Sequence, residues 1–169
     1  NSKNPGQVFL INTPVVNLGT LSTSGIDYTL RYKIPHFDVG SVDPGNFRAA
    51  LNTSYTSTYN VNATPGEPGT ESVNYAGTYT PQFGNISRWR GTLTLGWDKG
   101  NWSAQWQSRY INHLTALNAD AAIAGVNIPV ASVLYHSIQL GYAVPSIHTR
   151  FDVGVDNLMD KQPPRLYQN

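Results

Sequence analysis

The four histidines of this 169-residue chain stand at positions 36, 113, 136 and 148, too scattered for the close spacings that hold a metal. Cysteine is absent, which removes thiolate ligands and disulfides together. A serine nucleophile needs a histidine base and a turn that exposes the hydroxyl, and no G-x-S-x-G turn occurs. Asp152 and Asp156 lie two alternations apart on one side of a strand pattern. They could carry a proton or a cation, but partnership with Arg150 and His148 is the simpler reading. Arg88, Arg90 and Arg109 could attract an anion, and here too ion pairing is the simpler account. The expectation is a protein that is not an enzyme, with no cofactor and no metal. The remaining candidates are aromatic. Tyr75, Tyr79 and Phe83 fall in a segment rich in Pro, Gly and Thr, where flat rings could stack on a ligand or on one another.

The elements that must carry these side chains announce themselves at residues 85–116, which read as one hairpin. Its turn is Asp98-Lys99-Gly100-Asn101, flanked by Trp97 and Trp102. Eight residues further out on each arm stand Trp89 and Tyr110, while Trp106 falls opposite Leu93. Side chains alternate along a strand, so these positions share one face with Gly91, Leu95 and Ala104. Eight residues at roughly 3.3 Å each span about 26 Å, or about 20 Å of depth at a tilt of roughly 40°. That approaches the apolar band of an outer-membrane barrel, about 25 Å tall and bordered by aromatic girdles. The opposite face carries Arg90, Thr92, Thr94 and Asp98 on one arm and Ser103, Gln105, Gln107 and Arg109 on the other. It is built for water. Trp89, Trp97, Trp102 and Tyr110 are therefore expected to form membrane girdles.

Composition agrees with a polar-lumened barrel. Only 12% of residues are charged, with a formal net charge of +1. Basic runs are absent, so no nucleic-acid partner is expected. No stretch approaches 18 consecutive apolar residues, so a spanning segment must be a strand of a closed barrel. The polar start Asn1-Ser2-Lys3-Asn4-Pro5-Gly6 has no signal-peptide pattern, and the expectation is a processed chain or a piece of a longer one. Sequons at Asn52, Asn62, Asn85 and Asn101 read as chance in a chain so rich in Asn, Ser and Thr.

Six strands with period-two alternation are expected at about 18–33, 46–60, 85–97, 102–116, 132–144 and 148–157, after a short extended segment at 7–16. The Ala-rich run Asp120–Ala124 allows one helical turn within a loop. Connections alternate between tight (98–101, 145–147) and long (61–84, 117–131), as in an antiparallel meander whose loops are elaborated at one rim. That places the tight turns in the periplasm and the long loops outside. Six or seven strands are too few to close, since the smallest single-chain barrels have eight.

Two stretches carry a family likeness. Phe151-Asp152-Val153-Gly154-Val155-Asp156-Asn157-Leu158-Met159-Asp160-Lys161-Gln162-Pro163-Pro164 closely resembles the signature near the C-terminus of TonB-dependent outer-membrane receptors. Asn17-Leu18-Gly19-Thr20-Leu21-Ser22-Thr23-Ser24-Gly25-Ile26-Asp27 resembles that family's N-x-G-x-x-x-x-x-G-[VI]-[DE] pattern at the start of a descending strand. The resemblance implies an all-β fold, with residues 1–169 forming about 6–7 strands from the C-terminal portion of a 22-stranded transmembrane barrel. It implies that the plug domain and the final strand lie outside this chain, which stops at Tyr167-Gln168-Asn169. It further implies import of a scarce nutrient, such as a siderophore or carbohydrate, across the outer membrane of a Gram-negative bacterium. The partners would be the rest of the barrel, the plug, TonB acting through the missing N-terminal part, the nutrient, and lipid with lipopolysaccharide. Tyr75, Tyr79 and Phe83 would then sit in a ligand-capturing outer loop. Two alternatives stand beside this one: a passive or structural barrel such as a porin or adhesin, and a secreted carbohydrate-binding β-sandwich.

Overall fold

The alternating pattern folds into long antiparallel strands. The computed structural model describes residues 19–66, 71–117 and 128–164. The readings made for 7–16, for Asn17 and Leu18, for Asp120–Ala124 and for Tyr167–Asn169 lie outside the described residues. The strands are β1 (Thr20–Ile34), β2 (Asn46–Asn62), β3 (Val73–Asn74), β4 (Thr78–Thr80), β5 (Gly84–Ile86), β6 (Trp89–Lys99), β7 (Trp102–Ile111), β8 (Leu114–Ala116), β9 (Ile128–Val130), β10 (Val133–Val144) and β11 (Thr149–Val155). The main sheet runs β1-β2-β6-β7-β10-β11, antiparallel at every step, with β3 added to the end of β2.

Register turns six separate alternations into one surface. Tyr32, Ala49, Leu95, Trp106, Ile138 and Val155 form a single cross-strand row. The next row on that face is Ile34, Phe47, Trp97, Ala104, Leu140 and Val153. Between the two, on the opposite face, runs Lys33, Arg48, Gly96, Gln105, Gln139 and Gly154. A one-residue slip at any step would throw a whole strand onto the wrong face. The apolar face has no second layer. Ile26 and Val153 are each 67% exposed, and every residue of β1 is exposed.

The buried apolar residues sit elsewhere. Among the described residues they are Ala76, Leu114, Ala116, Val130 and Val133, all beside the long connections. Those connections are not plain loops. Residues 78–86, 114–116 and 128–130 contribute a second sheet, ordered β5-β4-β8-β9. Its β4–β8 step is parallel, pairing Thr78 with Thr115 and Tyr79 with Ala116. The Thr115 amide donates to the Gly77 carbonyl at 3.0 Å, and the Leu117 amide to the Tyr79 carbonyl at 2.8 Å. Two long connections are thereby joined across the hairpin between them. The expected strand 85–97 is accordingly broken into β5 and β6, and 102–116 into β7 and β8.

The hairpin itself departs from its expected register. β6 runs on to Lys99 and β7 starts at Trp102, leaving a two-residue turn, Gly100-Asn101. Lys99 pairs with Trp102, Trp97 with Ala104, Leu95 with Trp106 and Gly91 with Tyr110. The mirror pairs Trp97/Trp102 and Trp89/Tyr110 do not form. Gly100 adopts φ +56°, which supplies the left-handed centre that a two-residue hairpin requires and makes the tighter turn available. The slip is two residues, so every side chain keeps its face.

β1 and β2 change register between Ser24 and Gly25. A Cβ on Gly25 would collide with the Tyr55 carbonyl, which is backbone and cannot step aside. Gly25→Val is expected to destabilise the barrel of the full receptor by about 1–3 kcal/mol. Urea unfolding in lipid vesicles reads this, and an unchanged midpoint would refute the close approach.

Candidate functional site: the polar wall and the rim of long connections

Three short connections (35–45, 100–101 and 145–148) lie at one rim of the main sheet, called here the tight rim. The long ones (63–88 and 112–132) lie at the other, the open rim. At the open rim, Phe83 sits between Tyr75, at 4.9 Å between ring centroids, and Tyr59, at 6.2 Å. Tyr75 and Phe83 border a cleft of about 480 Å³ that also takes in Glu71, Val73 and Gln82. Tyr79 goes elsewhere and packs on Leu114, Ala116 and Val130. Of the three sequence-predicted aromatics, two therefore come together, with Tyr59 as a partner the sequence did not suggest. Tyr79 serves the small core that holds the second sheet.

Two of the four aromatics expected as girdles pair sideways, not across their own hairpin. Trp89 meets Tyr55 at 4.6 Å, and Trp102 meets Tyr142 at 4.5 Å. The other two show where polar handles are wanted. Trp97 Nε1 donates to the Pro44 carbonyl at 2.7 Å, and the Tyr110 hydroxyl donates to Asn112 Oδ1 at 2.9 Å. An aromatic ring with an apolar body and a satisfied polar tip suits a boundary between water and hydrocarbon.

The polar face divides by height. Near the tight rim its arginines are paired with aspartates. Arg48 pairs with Asp98, which also accepts from Asn46 Nδ2 at 3.1 Å. Arg150 holds Asp152 through Nε at 2.8 Å and Nη2 at 2.9 Å, and the same Nη2 donates to Ser103 Oγ at 2.7 Å. Both arginines lie flat because the sheet offers a slot under each. A side chain at Gly96 would strike Arg48, and one at Gly141 would strike Arg150, Asp152 and Ser103. Arg48 and Asp98 were not singled out from sequence as a pair. Glycine in the middle of a polar strand face was the available signal. The expected partnership of Asp152 with Arg150 is present, while His148 takes φ +50° in the turn after Pro145-Ser146-Ile147.

Near the open rim the arrangement changes. Arg90 Nη2 donates to the Asn85 carbonyl and, at 3.2 Å, to Asn85 Oδ1. Arg109 lies over the Tyr135 ring at 5.2 Å. Arg88 Nη1 donates to the Ser57 carbonyl at 2.9 Å. Among the described residues none of these three has a carboxylate within 4.0 Å, so the expected ion pairing does not occur. Asn157, at φ +52°, ties down the loop beyond β11: its Oδ1 accepts from the Lys161 amide at 2.9 Å.

Two histidines are placed in ways the sequence did not signal. His36 comes within 3.4 Å of Asp38 and 3.9 Å of Asp43 on the exposed turn of the tight rim. His136 stands on the apolar face, stacked on Trp106 at 5.3 Å.

A family model described as TonB dependent receptor-like, beta-barrel, matches residues 1–158. The chain belongs to the TonB-dependent receptor β-barrel family. No curated protein matches the chain, and no solved structure does. TonB-dependent receptors are outer-membrane proteins, and the family resolves the uncovered apolar face: in a barrel it meets lipid and needs no facing sheet. A β-sandwich would need a second sheet about 10 Å away, and none packs on that face among the described residues.

Leu93 lies four residues from Trp89 and four from Trp97, at the middle of that face. Leu93→Arg is expected to destabilise the vesicle-inserted receptor by about 2–4 kcal/mol. Thr94→Arg, one step along on the polar face, is expected to cost less than about 1 kcal/mol. Equal losses in urea titrations would show that the two faces are not distinguished.

Proposed function

We propose that this chain forms part of the barrel of a non-catalytic receptor that binds a scarce nutrient, such as a siderophore or carbohydrate, and imports it by TonB-driven transport. The observation that carries the reading is the family match over residues 1–158, laid on a sheet with one face mostly apolar and uncovered. In this reading the apolar face touches lipid and lipopolysaccharide, and the polar face lines the lumen around a plug domain. Trp97 and Trp102 mark the periplasmic boundary and Trp89 and Tyr110 the outer one, in a Gram-negative outer membrane. The tight rim faces the periplasm and the open rim faces the medium.

The cleft beside Tyr75 and Phe83 is the proposed point of first capture. Its rings offer stacking surface, and Glu71 and Gln82 offer polar contacts beside them.

Competitive growth on single nutrients identifies the substrate, by comparing cells with and without the receptor gene. Uptake of that nutrient is then expected to vanish when TonB is deleted. Persistence of uptake at the same rate would favour a passive barrel instead. In the full receptor, Phe83→Ala is expected to raise the half-saturating nutrient concentration about three- to tenfold, the loss of one ring contact. An unchanged uptake curve would remove the cleft from the ligand path.

A further inference from the structure

The two halves of the polar wall treat their arginines differently, and the difference points to a ligand. Near the tight rim Arg48 and Arg150 are each spent on an aspartate. Lys33, opposite Arg48, has no carboxylate within 4.0 Å among the described residues, so the contrast between the two halves lies in the arginines. Near the open rim Arg90 and Arg109 line one concavity of about 600 Å³ together with Thr29, Asn52 and Thr92. Register makes the two arginines diagonal neighbours: Thr92 pairs with Arg109, and Arg90 stands two residues away on the same face of β6.

Each guanidinium is fixed from behind and open in front. Arg90 is anchored through Nη2 on Asn85, which leaves its other N–H groups for the concavity. Arg109 is held flat by the Tyr135 ring, a contact that orients the cation without satisfying its N–H donors. The neighbouring carboxylates are Asp27 and Asp156. Asp27 lines the same concavity but sits two strands from Arg90 in the row Asp27, Ser54, Arg90. Asp156 lines an adjacent hollow with Arg109 and Lys161. Neither comes within 4.0 Å of either arginine. The concavity therefore holds two cations against one carboxylate, among hydroxyl and amide groups. In a partly enclosed lumen two arginines make a strong receptor for an oxyanion.

We infer that Arg90 and Arg109 form an anion-binding site on the lumen wall, and that the transported nutrient carries a carboxylate or phosphate group. The inference rests on the receptor reading above and sharpens it from a nutrient to an oxygen-rich anion.

The test uses the full-length receptor in detergent, with citrate and pyrophosphate as separate probes and sucrose as the uncharged control. Binding is measured by calorimetry at low ionic strength. At least one anion is expected to bind, and sucrose is expected to bind no more tightly in the native receptor than in the variants. Preference between citrate and pyrophosphate tells carboxylate from phosphate, and either preference supports the site. Arg90→Gln with Arg109→Gln is expected to weaken the anion at least tenfold, while Arg90→Lys with Arg109→Lys retains most of the affinity. Arg48→Gln, at the half where the arginines are paired, is expected to leave affinity unchanged. Heat-modifiable gel mobility reports that each variant barrel is folded. No binding of either anion, as would follow if another part of the receptor already fills both guanidiniums, overturns the inference. So does binding that survives the double glutamine change. Loss of TonB dependence with intact anion binding would count against the transport reading alone.

Discussion

Hydrocarbon offers a peptide group no hydrogen-bond partner. Every N–H and C=O that enters it must be satisfied within the protein, at several kcal/mol for each failure. The main sheet answers this with antiparallel ladders at every step from β1 to β11, interrupted in β1 only by the register shift at Gly25. The other features follow from that ladder. Because it is continuous, its two faces are continuous as well, one of them apolar across six strands and the other polar. The apolar face has no protein layer over it, so the usual order of a globular protein is reversed. The small buried core lies at the open rim, around Leu114 and Val130, and the largest apolar surface lies outside. The edges at β1 and β11, which have no further partner strand among the described residues, are where more strands of a barrel would join.

Much of this was legible in the sequence because a strand repeats every two residues. Alternation fixes which residues share a face, and that survives an error in register of two. The hairpin shows the limit. Trp97 and Trp102 looked like partners because they flank a plausible four-residue turn. Whether the chain turns in four residues or two depends on the left-handed conformation at Gly100, and the spacing of tryptophans carries no information on that. The second sheet was less visible still. β4, β5, β8 and β9 are three residues each, too short to show a period, and the step that joins the two halves, β4 to β8, pairs residues thirty-seven positions apart. Their stability comes from contacts between Tyr79 and Leu114, Ala116 and Val130, which no local pattern records.

The charged groups were legible as residents of the polar face but not as partners. Arg150 and Asp152 are two residues apart and their pairing could be guessed. Arg48 and Asp98 are fifty apart and meet only because β2 and β6 are neighbours. The glycines beneath them are the cause of the geometry. With Cβ atoms at Gly96 and Gly141, both guanidiniums would be pushed off the sheet and into the lumen. The wall near the tight rim is thus low in relief at both glycines, and its arginine charges are matched by aspartates. The wall near the open rim keeps its cations exposed to whatever enters.

The parallel pairing of β4 with β8 has a consequence for how an antibody would meet the open rim. Residues from 78–86, 114–116 and 128–130 are stitched into one sheet, so its relief is assembled from stretches nearly forty positions apart. An antibody raised on either stretch as a free peptide would meet a different shape on the folded receptor. The epitope here is conformational. Sequence drift in one segment would reshape the antigenic face of the other.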